Sequence, residues 1–526
     1  MATKQHTTAN TVTKHAVRPL MYTMVIVGLF VAWACYIAYR NSIWHDESYS
    51  FLMIQASFSK IVYYTSLDVH PPLYYLLLKA WTVVFGQSLL ALNAFSISCM
   101  VAAVLVVWRL FLPLLGKSIY KYRWLLLIMM FFGPFLVRYG QEMRMYALGA
   151  LITAVVLWWI RNLLDRPNWQ SWWRWALLGV LFAAGFYTHY FLLFNVVTFG
   201  LYFLITTIRS KGVSSLWKAW HGWYTTIIAF VVCIAPWLPV AANQFSQVSN
   251  GFWIAPLNGS TIFSYPISYV LYWADWELRS WLAILAYLAV AIVAMALYRY
   301  WRIPPSNNTF YKISRYWLVV PLLCLIAISL PPLQPAFHTR YLFFWAPVLY
   351  GAIGVGLLYG AIRSWVYRVA LVLYMVLLII GNGLLFTAGN VSTFDQKKPF
   401  SMNSIVEYIA SNTGDNQQVF IISDGLWNFF DLYATAADAN LTDNIVVFNK
   451  DQYGKYGNSS LVFDRPDLTI HSLNDNRLQN LETVWVVEDV TQKAVSPHIP
   501  AHWQLVQTAT YGYAQVSQYR ITPVTP

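Results

Sequence analysis

Apolar stretches recur along the first 390 residues with short polar segments between them, and eleven are long enough to be spans: near 20–39, 88–112, 123–139, 142–161, 174–190, 191–208, 220–242, 279–298, 315–333, 341–361 and 366–388. Crossing the hydrocarbon core takes about 20 apolar residues, so the pattern predicts a polytopic α-helical membrane protein of about eleven transmembrane helices. The stretch "HPPLYYLLLKAWTVVFG", residues 70–86, is short for a span and is interrupted by Lys79. Pro71 and Pro72 are expected to end one helix and start the next, so this part of the first outer loop reads as interfacial helices with aromatics at headgroup depth. Beyond residue 390 the period changes. Short β-rich runs ("VFIISDG", "NIVVFN", "TVWVVED") alternate with helix-like segments ("SIVEYIAS", "LWNFFDLYATAADA"), and "WQLVQTATYGYAQVSQYRI" reads as a closing hairpin. A small C-terminal α/β domain follows from that pattern. The expected organisation is a cytoplasmic N-terminal tail at 1–19, a transmembrane domain at 20–389 and an extracytoplasmic α/β domain at 390–526.

Composition supports the membrane assignment: 58% of the 526 residues are hydrophobic and 10% charged, with 26 Trp, 36 Tyr and 31 Phe, a balance that a water-exposed surface does not carry. The net charge of +13 does not indicate nucleic acid, because the basic residues sit in small groups between apolar runs, as loop anchors do. With the N-terminus cytoplasmic, nineteen Lys and Arg fall on the inner side and seven on the outer side before residue 390. Lys4, Lys14 and Arg18 precede the first apolar run, which reads as a retained anchor and not a cleaved signal. Cys35, Cys99, Cys233 and Cys324 lie inside apolar segments without metal or disulfide spacing, so they read as packing residues.

Fourteen of the 21 acidic residues lie between Asp395 and Asp489. Of the seven others, this topology places all but Asp165 on the outer side: Asp46, Glu47, Asp68, Glu142, Asp275 and Glu277. Charge at a bilayer boundary is costly to desolvate, so its concentration on one face marks a candidate site. In "RNSIWHDESYS", Asp46 and Glu47 stand side by side where the first span ends, and adjacent carboxylates repel unless something uses them. "RYGQEMRMYALGAL" places Glu142 at the outer end of another span between Arg138 and Arg144. Guanidinium forks suit phosphate oxygens, although arginines also snorkel to interfaces for structural reasons. "LQPAFHTRYLFFWAPVL" adds His338 and Arg340, "DVHPPLYYLLLKAW" adds His70 and Lys79, and "GFYTHYFLL" adds His189, a type of lone histidine that often serves packing. Asp275 and Glu277 read as ordinary loop residues.

The Asp-Glu pair after the first span, the HPPL segment, the R-x-x-x-E-x-R-x-Y stretch near 140 and the late H-x-R-Y together resemble the GT-C superfamily of membrane glycosyltransferases. Within it they resemble the protein O-mannosyltransferase-like branch (glycosyltransferase family 39), the lipid A aminoarabinose transferases and the rhizobial lipopolysaccharide glycosyltransferases. The resemblance covers roughly residues 20–390. It implies sugar transfer on the extracytoplasmic face from a polyprenyl-phosphate-linked donor to a hydroxyl of a lipid, glycan or protein. By position it makes Asp46 the base or acceptor-positioning carboxylate, with Glu47 beside it, and makes Glu142 the second-loop carboxylate, where some relatives carry aspartate. Arg138 and Arg340 become phosphate contacts, and His70, Lys79, Arg144, His189 and His338 complete the candidate donor-binding set. An obligatory metal is not expected, while clustered acids are compatible with Mg or Mn. The competing reading is a transporter or lipid-linked glycan flippase, which calls for ionisable groups near the midplane and broken helices in paired halves.

Overall fold

A computed structural model describes residues 5–40, 43, 45–213, 221–249, 254, 256–271, 280–303, 308–333, 335–387, 402–412, 419–423, 426–427, 430, 445–448, 468–473, 475–478, 481–489, 498–512 and 514–522. The chain divides into two compact units: Met1–Ile37, Asn93–Leu238 and Gly251–Thr387 form the first, and Ala38–Leu92, Pro239–Asn250 and Ala388–Pro526 the second.

The first unit is helical. Among the described residues nine helices are long and apolar enough to cross a membrane. The stretch expected at 123–139 is not one helix but a pair, Tyr120–Phe131 and Pro134–Gly140, bent by 53° at the break, and counts as a tenth span if the pair crosses together. The stretch at 174–190 is Trp172–Thr188, whose 17 residues lie at the short end of the spanning range. Every expected apolar stretch is thus helical. Two features differ from expectation. The first helix runs Gln5–Arg40 and takes in most of the polar tail, and a helix at Gly259–Leu271 carries Pro266 in its interior, which hides its periodicity in the sequence.

The span Thr339–Ala361 is wholly buried inside the protein. It packs against Ser280–Trp301 so closely that a Cβ on Gly356 would lie 2.0 Å from the Ala296 carbonyl oxygen, the small-residue contact that lets membrane helices approach. Buried amides tie other spans together. Asn195 Oδ1 accepts from the indoles of Trp317 and Trp345, each at 2.9 Å, while its Nδ2 donates to Thr153 Oγ1 at 3.1 Å.

The second unit holds three short helices that follow the first span, His45–Gln55, Phe58–Leu67 and Leu73–Phe85, and the C-terminal sheet. Pro72 caps the last of the three helices, as the Pro-Pro pair predicts. The sheet has six strands, β1 (Val419–Ser423), β2 (Ile445–Phe448), β3 (Thr469–Ile470), β4 (Thr483–Asp489), β5 (Trp503–Tyr511) and β6 (Ala514–Ile521), in the order β3-β2-β1-β4-β6-β5. β3, β2, β1 and β4 are parallel, and β4–β6 and β6–β5 antiparallel. The three β-rich runs are β1, β2 and β4, and the tail is the β5–β6 hairpin. Val484 to Val487 are all buried, as a continuous apolar run in a central parallel strand requires. Arg477 bonds both oxygens of Asp475 at 2.9 and 3.0 Å and holds that carboxyl below its ordinary range, with some opposition from burial.

Candidate active site

In the second unit, Asp46 and Glu47 occupy the first turn of helix His45–Gln55. The partial positive charge of a helix N-terminus favours carboxylates there, which supplies a reason for two of them at a span's end. Glu47, Ser48 and Ser50 are buried, and Ser50 Oγ donates to the Asp46 carbonyl at 3.1 Å. Lys79 Nζ donates to the Ile54 carbonyl at 2.8 Å and lies 5.7 Å from the Phe58 ring centre, so it ties helix Leu73–Phe85 to the end of helix His45–Gln55. Asp68 is buried (3% exposed), and His70 Nδ1 lies 3.2 Å from its Oδ2.

In the first unit, the break after Phe131 sets up the second acidic position. Gly133 precedes Pro134, and a Cβ at 133 would lie 2.2 Å from Tyr350 Cζ. Asn382 Nδ2 donates to the Phe132 carbonyl at 2.9 Å, replacing a bond the broken helix cannot make. The half-helix Pro134–Gly140 then carries Arg138 in its last turn, and the turn at 141–145 presents Glu142. Arg138 Nη1 lies 2.5 Å from Glu142 Oε1. Glu142 is fully buried, and Arg138 and Arg144 nearly so. Asn93 Nδ2 donates to the Gln141 carbonyl at 2.8 Å, and Gln141 Nε2 to the Arg138 carbonyl at 3.0 Å, which fixes the turn.

His189 and His338 are built alike. Each caps a 3₁₀ helix, Tyr190–Leu192 and Thr339–Trp345, with Nδ1 accepting from the backbone N–H two residues on, Phe191 at 3.2 Å and Arg340 at 3.3 Å. Their rings lie 5.5 and 5.9 Å from that of Tyr341. Arg340 is buried, its guanidinium 5.5 Å from the same ring. Phe343 in turn meets Tyr139 and Tyr146, at 6.0 and 6.3 Å, so the histidine–arginine segment and the Arg138–Glu142 segment share one aromatic layer.

Hydrogen-bond polarity fixes the tautomers. A backbone N–H only donates, so Nδ1 of His189 and His338 carries a lone pair and the ring proton sits on Nε2. A carboxylate only accepts, so Nδ1 of His70 carries the proton. Asp275 and Glu277 lie outside the described residues. Sequence reasoning missed the neutral amides Asn93, Gln141, Asn195 and Gln244, all buried. The available signal was an amide inside an apolar run, as in "LLALNAFS" and "LLFNVVT", which is expensive in lipid unless used.

A many-span helical bundle, a broken helix ending in a buried guanidinium–carboxylate pair and a C-terminal mixed sheet define a polytopic membrane protein with a charged interior site. Residues 69–239 match the family described as Dolichyl-phosphate-mannose-protein mannosyltransferase. Among solved structures, ArnT from Cupriavidus metallidurans bound to undecaprenyl phosphate is 14% identical, with a TM-score of 0.56, over 94% of this chain and 98% of that one. Its apo form is 13% identical over 94% and 97%, again with a TM-score of 0.56. The Archaeoglobus fulgidus oligosaccharyltransferase in its apo form matches at 12% identity and a TM-score of 0.48, over 90% and 70%. No curated protein sequence matches the chain. The chain therefore shares the ArnT fold, and the family match covers its residues 69–239.

Proposed function

We propose that the protein moves a sugar from a polyprenyl-phosphate carrier to an acceptor hydroxyl on the extracytoplasmic face, with the N-terminus cytoplasmic and the C-terminal domain outside. The observation that carries this reading is the buried Arg138–Glu142 pair at the end of a broken span, in a fold shared with a protein whose structure holds undecaprenyl phosphate. Cations at that depth suit a lipid-linked phosphate, whose chain lies in the bilayer and whose sugar sits at the interface.

In this reading Asp46 accepts the proton of the acceptor hydroxyl as the new bond to the anomeric carbon forms. The bond from that carbon to the phosphate oxygen breaks, and its electron pair leaves with the polyprenyl phosphate. A hydroxyl is far less acidic than an aspartic acid, so proton transfer comes late, after positive charge has grown on the sugar. One displacement gives inversion. Arg138, Arg144 and Arg340 oppose the phosphate charge, His70 contributes a further N–H, and the Nε2–H groups of His189 and His338 are suited to donate to phosphate or sugar oxygens. Glu142 orients Arg138, and Glu47 supports Asp46. Among the described residues no three His, Cys, Asp or Glu side chains gather as a metal site, and this reading requires no metal, while leaving room for Mg or Mn bound with the donor.

The test is incubation of the purified protein with a panel of polyprenyl-phosphate sugars, read by mass spectrometry, with and without EDTA. Formation of a glycosylated acceptor and free polyprenyl phosphate, unaffected by EDTA, is expected. The flippase reading draws on the broken span, one half of the paired pattern it needs. Translocation of an intact lipid-linked sugar across proteoliposomes without cleavage decides for it.

A further inference from the structure

Asp68 and His70 sit in the turn between helices Phe58–Leu67 and Leu73–Phe85. Asp68 is almost fully buried and terminates the first of these helices, its backbone N–H donating to the Tyr64 carbonyl at 3.1 Å. The same turn is pinned by a residue 179 positions away: Gln244 Nε2 donates to the Thr65 carbonyl at 2.7 Å, with the Ser66 carbonyl at 3.5 Å. Among the described residues, His70 is the side chain paired with Asp68, at 3.2 Å. His70 keeps 21% of its side chain exposed while the carboxylate keeps 4%. A buried carboxylate behind a partly exposed imidazole holds the ring by Nδ1 and turns Nε2 away from itself.

This arrangement sets His70 apart from His189 and His338. An imidazole with a carboxylate on Nδ1 meets a phosphate oxygen through Nε2 only when both nitrogens carry protons, because both neighbours are acceptors. We infer that Asp68 is a positioning residue that holds the His70 ring by Nδ1 and so presents Nε2 to the carrier phosphate. The inference rests on the lipid-phosphate reading above. It adds a residue outside the arginine set and a reason for a histidine at 70: the carboxylate supplies the countercharge that a lone imidazole lacks.

The test measures binding of polyprenyl phosphate to the full-length protein in nanodiscs by native mass spectrometry. Asp68→Asn keeps an acceptor at Nδ1 but removes the charge and is expected to weaken binding about tenfold, as loss of a charge-assisted contact does. His70→Gln is expected to weaken it equally, and the double variant no further, because the two residues act as one unit. His70→Lys carries its own charge, so in the Asp68→Asn background it should return binding to within about threefold of wild type. A residue that only shaped the turn would not be rescued from position 70. Wild-type affinity in Asp68→Asn overturns the inference alone, and so does additivity of Asp68→Asn with His70→Gln. Should Asp68→Asn fail to insert, His70→Gln decides: unchanged affinity overturns the inference. If the wild type binds no polyprenyl phosphate, the functional reading falls and takes this inference with it.

Discussion

The two acidic positions solve the same problem by different means. Asp46 and Glu47 stand in the first turn of a regular helix, where the backbone dipole meets their charge. Glu142 stands in a turn after a broken helix, where the Arg138 guanidinium meets its charge at 2.5 Å. A carboxylate held by an arginine is one half of a pair, and protonating it strands the other half. Under the proposed function, proton transfer belongs to the first position and electrostatic placement to the second.

The largest expected effect tests the first assignment. Asp46→Asn should lower sugar transfer by about 10²–10⁴, the range of a lost general base, while membrane insertion and detergent stability persist; transfer within a few-fold of wild type refutes the role. For the second position, Glu142→Gln should cost about 3–5 kcal/mol in detergent stability, because it leaves a buried guanidinium without its countercharge. Arg138→Met with Glu142→Leu should recover most of that loss without recovering transfer. Equal stability of single and double variants would remove the distinction drawn here.

Gly133→Ala sharpens the comparison at the break itself. The added methyl meets Tyr350, and overpacking of this kind costs about 1–3 kcal/mol, so thermal stability and transfer should fall together and Tyr350→Leu should offset part of the loss. Lys79→Met should lower stability by about 1.5–3 kcal/mol through the lost bond to Ile54, in the range of one charged hydrogen bond; a large rise in donor KM beside it supports the donor-site role of Lys79, and an unchanged KM argues for tethering alone. Smallest is Asp475→Asn. Because Arg477 depresses the Asp475 pKa in the fold, the pair stabilises above the ordinary carboxylate range and loses its effect as pH falls through the folded pKa. The variant should therefore unfold slightly more readily at neutral pH, a gap that closes in acid, and the exposed pair keeps it small.

The apolar periodicity made the spans and the strands legible because both depend on burial along a regular element. The scarcity of acids singled out Asp46, Glu47 and Glu142 as candidates, since charge near lipid is rarely idle. What stayed hidden depends on contacts distant in sequence. Nothing local to Asp68 and His70 shows that one is buried behind the other, and Gln244 reads as an ordinary polar residue until its bond to Thr65 is seen. The helix at Gly259–Leu271 was lost because Pro266 interrupts its pattern, and the break at 132–134 because "FFGPF" is apolar throughout, so hydropathy runs unbroken across it.

The Asn382 contact bears on how the protein is made. The carbonyl at the break between two early helices takes its donor from a residue 250 positions later, on helix Trp365–Thr387. During synthesis the ribosome has yet to deliver that amide when residue 132 enters the bilayer, so the early span must wait straight, shielded by the insertion machinery, or paired elsewhere. A nascent chain arrested before residue 382 is therefore expected to be recognised by quality control as incomplete, with its lesion deep in the membrane and far from the point of truncation.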